Sequence, residues 1–169
     1  MNRGHTPLPM IPITGLLLTI ILLIGCSDPE TRPYAAPPQT GAEVRAELAD
    51  ICQAAVANKQ PVLVEFSAPW CSDCQRLQRM KQESVLVREL AEWPNATINV
   101  GRFDLHRDML DSFGIEKIAN WSIFQPTDCD APFELWPRVI SRTLEPSSGA
   151  ERDTSPSQLA QWLRNFRLS

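Results

Sequence analysis

Two cysteines set three residues apart, in Cys71-Ser72-Asp73-Cys74, are the residues of this 169-residue chain best placed to do chemistry. On a helix that spacing puts both thiols on one face, one turn apart, where they can close a reversible disulfide. A thiol at a helix's first turn also meets unpaired backbone N–H groups and the positive dipole end. Both favour the thiolate, the form that attacks a disulfide. Asp73 works the other way, because a negative charge disfavours a neighbouring thiolate. The expected balance is a Cys71 of ordinary acidity and a pair that is reducing rather than strongly oxidising. The same two thiolates could instead hold a soft metal such as Cu(I) or Zn²⁺, or form a static disulfide in an interaction module. No second Cys-x-x-Cys, His-x-x-x-Cys pattern or Met cluster accompanies them, so a zinc ribbon lacks half its ligands.

The flanking residues supply elements that could position such a pair. Val62, Leu63, Val64 and Phe66 form a β-branched and aromatic run of the buried-strand type, ended by Ala68-Pro69. Glu65 lies inside that run, either buried with it or solvated at a strand end. Trp70 stands directly before the first cysteine, as a cover for the pair or as a plain core aromatic. After the pair a helical pattern carries Leu77, Met80, Val85, Leu86 and Leu90 to Trp93-Pro94. Upstream, Thr40-Gly-Ala-Glu43 has capping-box spacing and opens a helix whose one face holds Val44, Leu48, Ile51, Cys52, Ala55 and Val56. A strand is expected over Ala96–Leu105, a short helix near Asp108–Phe113 and a strand over Trp121–Phe124. An edge strand over Arg138–Leu144 and a last helix opening at Ser155-Pro156 complete the series. The alternation describes an α/β domain with a mixed sheet flanked by helices.

The apolar strand with Glu65, the Trp70-Cys71 step and the block Phe113-Gly-Ile-Glu-Lys-Ile-Ala-Asn-Trp-Ser-Ile-Phe124 resemble the thioredoxin family. The resemblance runs from about Glu43 to Leu168 and is strongest to periplasmic, membrane-attached members. It implies a thioredoxin fold and a thiol-disulfide oxidoreductase that needs no cofactor. Cys71 would be the nucleophile, Cys74 the resolving thiol, and Glu65 the group that takes and returns the proton of Cys74. Trp70, Ser72, Asp73 and Ala119 would form the surroundings of the pair. Ala119 stands where the family has a cis-proline, and because a non-proline cis bond costs about 3 kcal/mol it is expected to be trans. Pro126 and Pro137 would fit the proline's role only by breaking the alignment of the Gly114-Ile115 block. Asp104 and His106 fall near the site in the family arrangement without a motif that gives them a role.

The chain opens with Arg3 and then an apolar run from Ile13 to Ile24, too short to span a bilayer comfortably and suited to a secretory signal. Its end, Leu23-Ile-Gly-Cys26, resembles the bacterial lipobox, which implies cleavage before Cys26 and lipid on that residue; an uncleaved signal anchor is the alternative. Ser27 after the lipidated residue points to the outer membrane, with the domain facing the periplasm. Residues 1–25 are thus read as signal peptide and 26–41 as a tether rich in proline. Extended, that tether could hold the domain roughly 40 Å from the membrane. Residues 42–169 suffice for one thioredoxin-like domain. A formal net charge of −4 without a basic cluster argues against nucleic acid as partner. The expected partners are disulfide-containing envelope proteins and a membrane electron donor.

Gln125–Pro137 is longer than the tight turn the family usually has there. With Cys26 lipidated, four of five cysteines remain, and an oxidising compartment favours pairing. If Cys71 and Cys74 pair with each other, Cys52 and Cys129 are left. They either bridge the loop to the first helix, or stand as an inert core thiol and an exposed reactive one.

Overall fold

The computed structural model describes residues 1, 38–146 and 154–167. The expected signal, Cys26 and nearly all of the tether lie outside the described residues. No described helix is long and apolar enough to cross a membrane.

Four strands form a mixed sheet: β1 Val62–Ser67, β2 Asn95–Asn99, β3 Asn120–Phe124 and β4 Arg138–Thr143, in the order β2-β1-β3-β4. β1 pairs parallel with β2 and antiparallel with β3, and β3 pairs antiparallel with β4, with an irregularity at Ile123/Phe124. Every residue of β1 is buried, as expected of a central strand covered on both faces.

The helices are α1 Gly41–Asn58, α2 Ser72–Met80, α3 Ser84–Leu90, α4 Arg107–Phe113 and α5 Pro156–Arg167. α1 opens with the expected capping box. The Thr40 hydroxyl accepts from Glu43 N–H, while the Glu43 carboxylate accepts from Thr40 N–H and is held below the ordinary carboxylate range by it. Its buried stripe is Val44, Leu48, Cys52 and Ala55, whereas Val56 is exposed. Arg45 joins α1 to Asp108 of α4 and to Glu134 in a single 3-10 turn, Phe133–Leu135. On the same face of the sheet, Phe124 meets Phe113 and Phe133 with ring centroids 4.9 Å apart. Trp121 points to the opposite face, where it meets Trp162 of α5 and the Glu65 carboxylate.

Three expectations are corrected by the structure. The helical run after the cysteines is two helices, because Lys81–Glu83 closes α2 in tight turns and Glu83 is extended (φ −69°, ψ 133°) before α3. The second strand stops at Asn99 rather than Leu105. Asn99 Oδ1 accepts from Gly101 N–H and Asp104 Oδ1 from Arg102 N–H, so two short polar side chains satisfy the backbone locally and turn it. Gly101, Phe103 and His106 all have positive φ in this turn. Finally, the Ile118–Ala119 bond is cis, not trans. The intrinsic preference is overruled by tertiary context. Ala119 is fully buried, its carbonyl accepts from Leu144 N–H at 2.7 Å, and the next residues are fixed in β3 between two partner strands.

Candidate active site

β1 delivers the chain to the site, and the Ala68-Pro69-Trp70 turn swings it into α2. Cys71 N–H donates to Ala68 O at 3.2 Å, and the Gln75 side chain donates back to Pro69 O at 2.7 Å, pinning the turn to the helix it feeds. Cys71 is the N-cap of α2, and its sulfur accepts from Cys74 N–H at 3.1 Å. The positive end of the helix is therefore aimed at this sulfur. Cys71 and Cys74 are joined as a disulfide, with Cα atoms 5.2 Å apart. The pair is asymmetric: Cys71 is 6% exposed and Cys74 0%. A reagent in solution reaches only the first.

Outside Cys71 lies an open cleft of about 300 Å³. Trp70 and Phe103 form one side, with ring centroids 6.3 Å apart, and the Trp70 indole N–H donates to Gly101 O at 2.7 Å. Ser72 and Asp73 of the first α2 turn line it next to the sulfur. Lys117, Ile118 and Glu145 complete the lining, with Lys117 Nζ 3.7 Å from Glu145 Oε1. Ala119, the residue after Ile118, is fully buried and not part of the lining. Asp104 and His106 belong to the turn that carries Phe103 but are not in the cleft lining.

Glu65 is 2% exposed and is not among the residues that line the cleft. Gln78 Nε2 donates to its carboxylate at 2.9 Å, Lys81 Nζ at 2.9 Å and Trp121 Nε1 at 3.1 Å. Gln78 and Lys81 follow Cys74 by four and seven residues, so the stripe of α2 that carries the buried sulfur also holds Glu65. That stripe was open to detection from spacing alone, whereas Phe103 and Glu145 reach the cleft only through tertiary folding.

The second pair of cysteines is also joined: Cys52 of α1 and Cys129 of the loop before the 3-10 turn, with Cα atoms 5.7 Å apart. Among the described residues, no three His, Cys, Asp or Glu side chains group as a metal site.

The sequence model of the Thioredoxin family matches residues 44–132, more than half of the chain, from within α1 into the loop that holds Cys129. This chain belongs to the thioredoxin family. A curated relative, thiol:disulfide interchange protein TxlA of Synechococcus elongatus, is 32% identical over 78 residues. That match takes in 44% of this chain and 37% of the relative, so the chain spans little more than a third of that protein. Among solved structures, a disulphide isomerase from Xylella fastidiosa superposes with a TM-score of 0.59 at 18% identity, covering 76% of this chain and 95% of that one. The C-terminal domain of Neisseria meningitidis DsbD, in its reduced form, gives 0.52 at 15% identity, covering 72% and 96%. At those identities the two structures attest the thioredoxin fold alone.

Proposed function

We propose that this thioredoxin-family chain is a thiol-disulfide oxidoreductase that works through Cys71 and Cys74. The observation that carries the reading is the disulfide at the head of α2, one sulfur facing an open cleft and the other sealed beneath it. In the reduced chain, the Cys71 thiolate attacks one sulfur of a substrate disulfide. The substrate S–S bond breaks, one substrate thiolate leaves and takes a proton, and a mixed disulfide forms at Cys71. Cys74 then gives its proton to Glu65 and attacks the Cys71 sulfur. The second substrate thiolate departs with the proton that Glu65 returns, the first having taken from solvent the proton that Cys71 gave up on ionising, and the chain is left with the Cys71–Cys74 disulfide. Two electrons and two protons have passed to the substrate. Trp70 screens the pair on its exposed side, and burial of Cys74 reserves it for the second step.

The preferred direction is reduction. Asp73 in the first turn of α2 opposes the helix dipole at Cys71, and a thiolate that is not strongly stabilised leaves the pair reducing. The setting we propose is the bacterial envelope, on a lipid at Cys26 and on the periplasmic side of the outer membrane, from Leu23-Ile-Gly-Cys26 and Ser27. Envelope proteins with disulfides would be the substrates, and a membrane electron donor would recharge the pair. Titration of Cys71–Cys74 against glutathione and dithiothreitol, with all cysteines followed by mass, tests the chemistry. A reversible potential between about −120 and −270 mV is expected. A pair locked far below that range would mark a static disulfide and end the reading. The mass of the mature N-terminus tests the anchor.

A further inference from the structure

Ser67 is the last residue of β1, just before the turn that leads to Cys71, and it is fully buried. Its carbonyl accepts from Val100 N–H at 2.9 Å, so the backbone there is fixed. Its hydroxyl, by contrast, bonds no protein group among the described residues. Buried side-chain donors nearly always find a partner, and leaving one unpaired is unfavourable. Alternate residues of a strand share a face, so Ser67 points the same way as Glu65, toward α2. As α2 advances it steps back along β1: Gln75 reaches Pro69 O, and Gln78 reaches the Glu65 carboxylate. Ser67 falls between those two levels. The residues that α2 buries are Cys74 and Leu77, and of these only the Cys74 sulfur can give or take a hydrogen bond. Asn99, opposite Ser67 on β2, has its Oδ1 turned to Gly101 N–H.

Resting on the oxidoreductase reading, we propose that the Ser67 hydroxyl is the hydrogen-bond partner of the Cys74 sulfur in the reduced chain and in the mixed disulfide. In the Cys71–Cys74 disulfide that sulfur carries neither proton nor charge and is a weak acceptor. After reduction it is a thiol, and once Glu65 has taken its proton it is a thiolate; both pair with a hydroxyl, the thiolate more strongly. In the resolving step the Cys74 thiolate attacks the Cys71 sulfur. The Cys74–Cys71 bond forms, the bond from Cys71 to the substrate breaks, and the substrate sulfur leaves with the electron pair. Ser67 keeps its proton throughout. Its hydroxyl holds the thiolate before attack and loses its partner as the disulfide closes.

The test compares the full chain with Ser67→Ala and Ser67→Thr, with Cys52–Cys129 kept intact in all and checked by mass. Ser67→Ala removes a hydroxyl that is unpaired in the oxidised form. The urea midpoint of that form should therefore hold or rise, while that of the form reduced at Cys71 and Cys74 should fall. The exchange equilibrium with glutathione should move about tenfold toward the disulfide, which lowers the potential by about 30 mV. In a single turnover with a small peptide disulfide, the first attack should be unchanged and the mixed disulfide at Cys71 should decay about tenfold more slowly. Ser67→Thr keeps the hydroxyl and should restore most of that rate. Equal losses of stability in oxidised and reduced Ser67→Ala would assign the hydroxyl to the scaffold and overturn the proposal. An unchanged potential, an unchanged decay, or equal slowing in both variants would overturn it too, the last by tracing the effect to packing. If the unmutated chain exchanges with no disulfide at all, the oxidoreductase reading itself fails, a result that no behaviour of the variants can imitate.

Discussion

At the scale of single residues, the decisive contrast is between two acids near the same pair of sulfurs. Asp73 is in the first turn of α2, two residues from Cys71 in sequence, while Glu65 is buried and tied by Gln78 and Lys81 to the α2 stripe that carries Cys74. If Glu65 handles the proton of Cys74, Glu65→Gln should leave the first attack intact and slow the second. Acid quenching of a single turnover would then trap more substrate bound to Cys71, seen as a mass adduct; an unchanged adduct fraction would remove Glu65 from the mechanism. The same carboxylate is also a structural charge. Lys81→Met would leave it buried with only two neutral donors, at a cost of about 2 kcal/mol, while Glu65→Leu combined with Lys81→Met should recover much of the loss. Urea midpoints of the oxidised forms decide this, since equal losses in single and double variants would show that the pair is not coupled. The cysteines, Trp70 and Glu65 were legible because they are contiguous with an unmistakable buried strand. Lys117 and Glu145 were not, since nothing in their local sequence tells that the chain brings residues so far apart to one cleft.

At the scale of elements, the sequence was most readable where periodicity and caps agree and least where side chains compete with the backbone. α1 and α5 open where Thr40 and Ser155 say they should, each with a reciprocal bond to the residue three positions on. The turn after β2 was misread as strand because Val100, Phe103 and Leu105 look apolar enough to extend it. The competing signal, Asn99-x-Gly101 and Arg102-x-Asp104, is a matter of side-chain hydrogen bonds that hydropathy does not see. Ala119 failed for a different reason: intrinsic bond preference is a local quantity, and the conformation there is set by the strands around it. The turn also has a functional consequence, because Gly101 combines a φ of +59° with the carbonyl that anchors Trp70. A Cβ at this position would stand 2.3 Å from Asp104 Oδ1 and 2.9 Å from Leu105 Cγ. Gly101→Ala is expected to cost about 2 kcal/mol from the backbone conformation and the contact together. A thermal midpoint lowered by several degrees, with slower exchange on peptide disulfides than on a small one, would show that the turn positions Trp70. An unaltered midpoint would mean that the turn relaxes freely and has no such role.

At the scale of the whole domain, the extra loop before β4 is held in three ways, and the contributions can be separated. Phe133 and Trp136 insert into the aromatic cluster with Phe113 and Phe124, Arg45 binds Glu134 from α1, and Cys52–Cys129 closes the chain over a separation of 77 residues. The first two are noncovalent contacts of the folded state and would survive removal of the third. Chain-entropy arguments assign a crosslink of that span up to about 4 kcal/mol, all of it through the unfolded ensemble. Replacing Cys52 by Ala and Cys129 by Ser should therefore lower the thermal midpoint by about 10 °C without unfolding the domain at room temperature. The Cys71–Cys74 potential should stay put, because the bridge acts on the opposite side of the sheet from Glu65 and α2. The same comparison can be made without mutation, by preparing the chain under reducing and under oxidising conditions and following each pair by mass. A midpoint that does not respond to the Cys52–Cys129 bond would show that the aromatic cluster alone orders the loop. A potential that shifts with it would show that the two disulfides communicate through the sheet, and the bridge would then belong to the redox chemistry rather than to the scaffold.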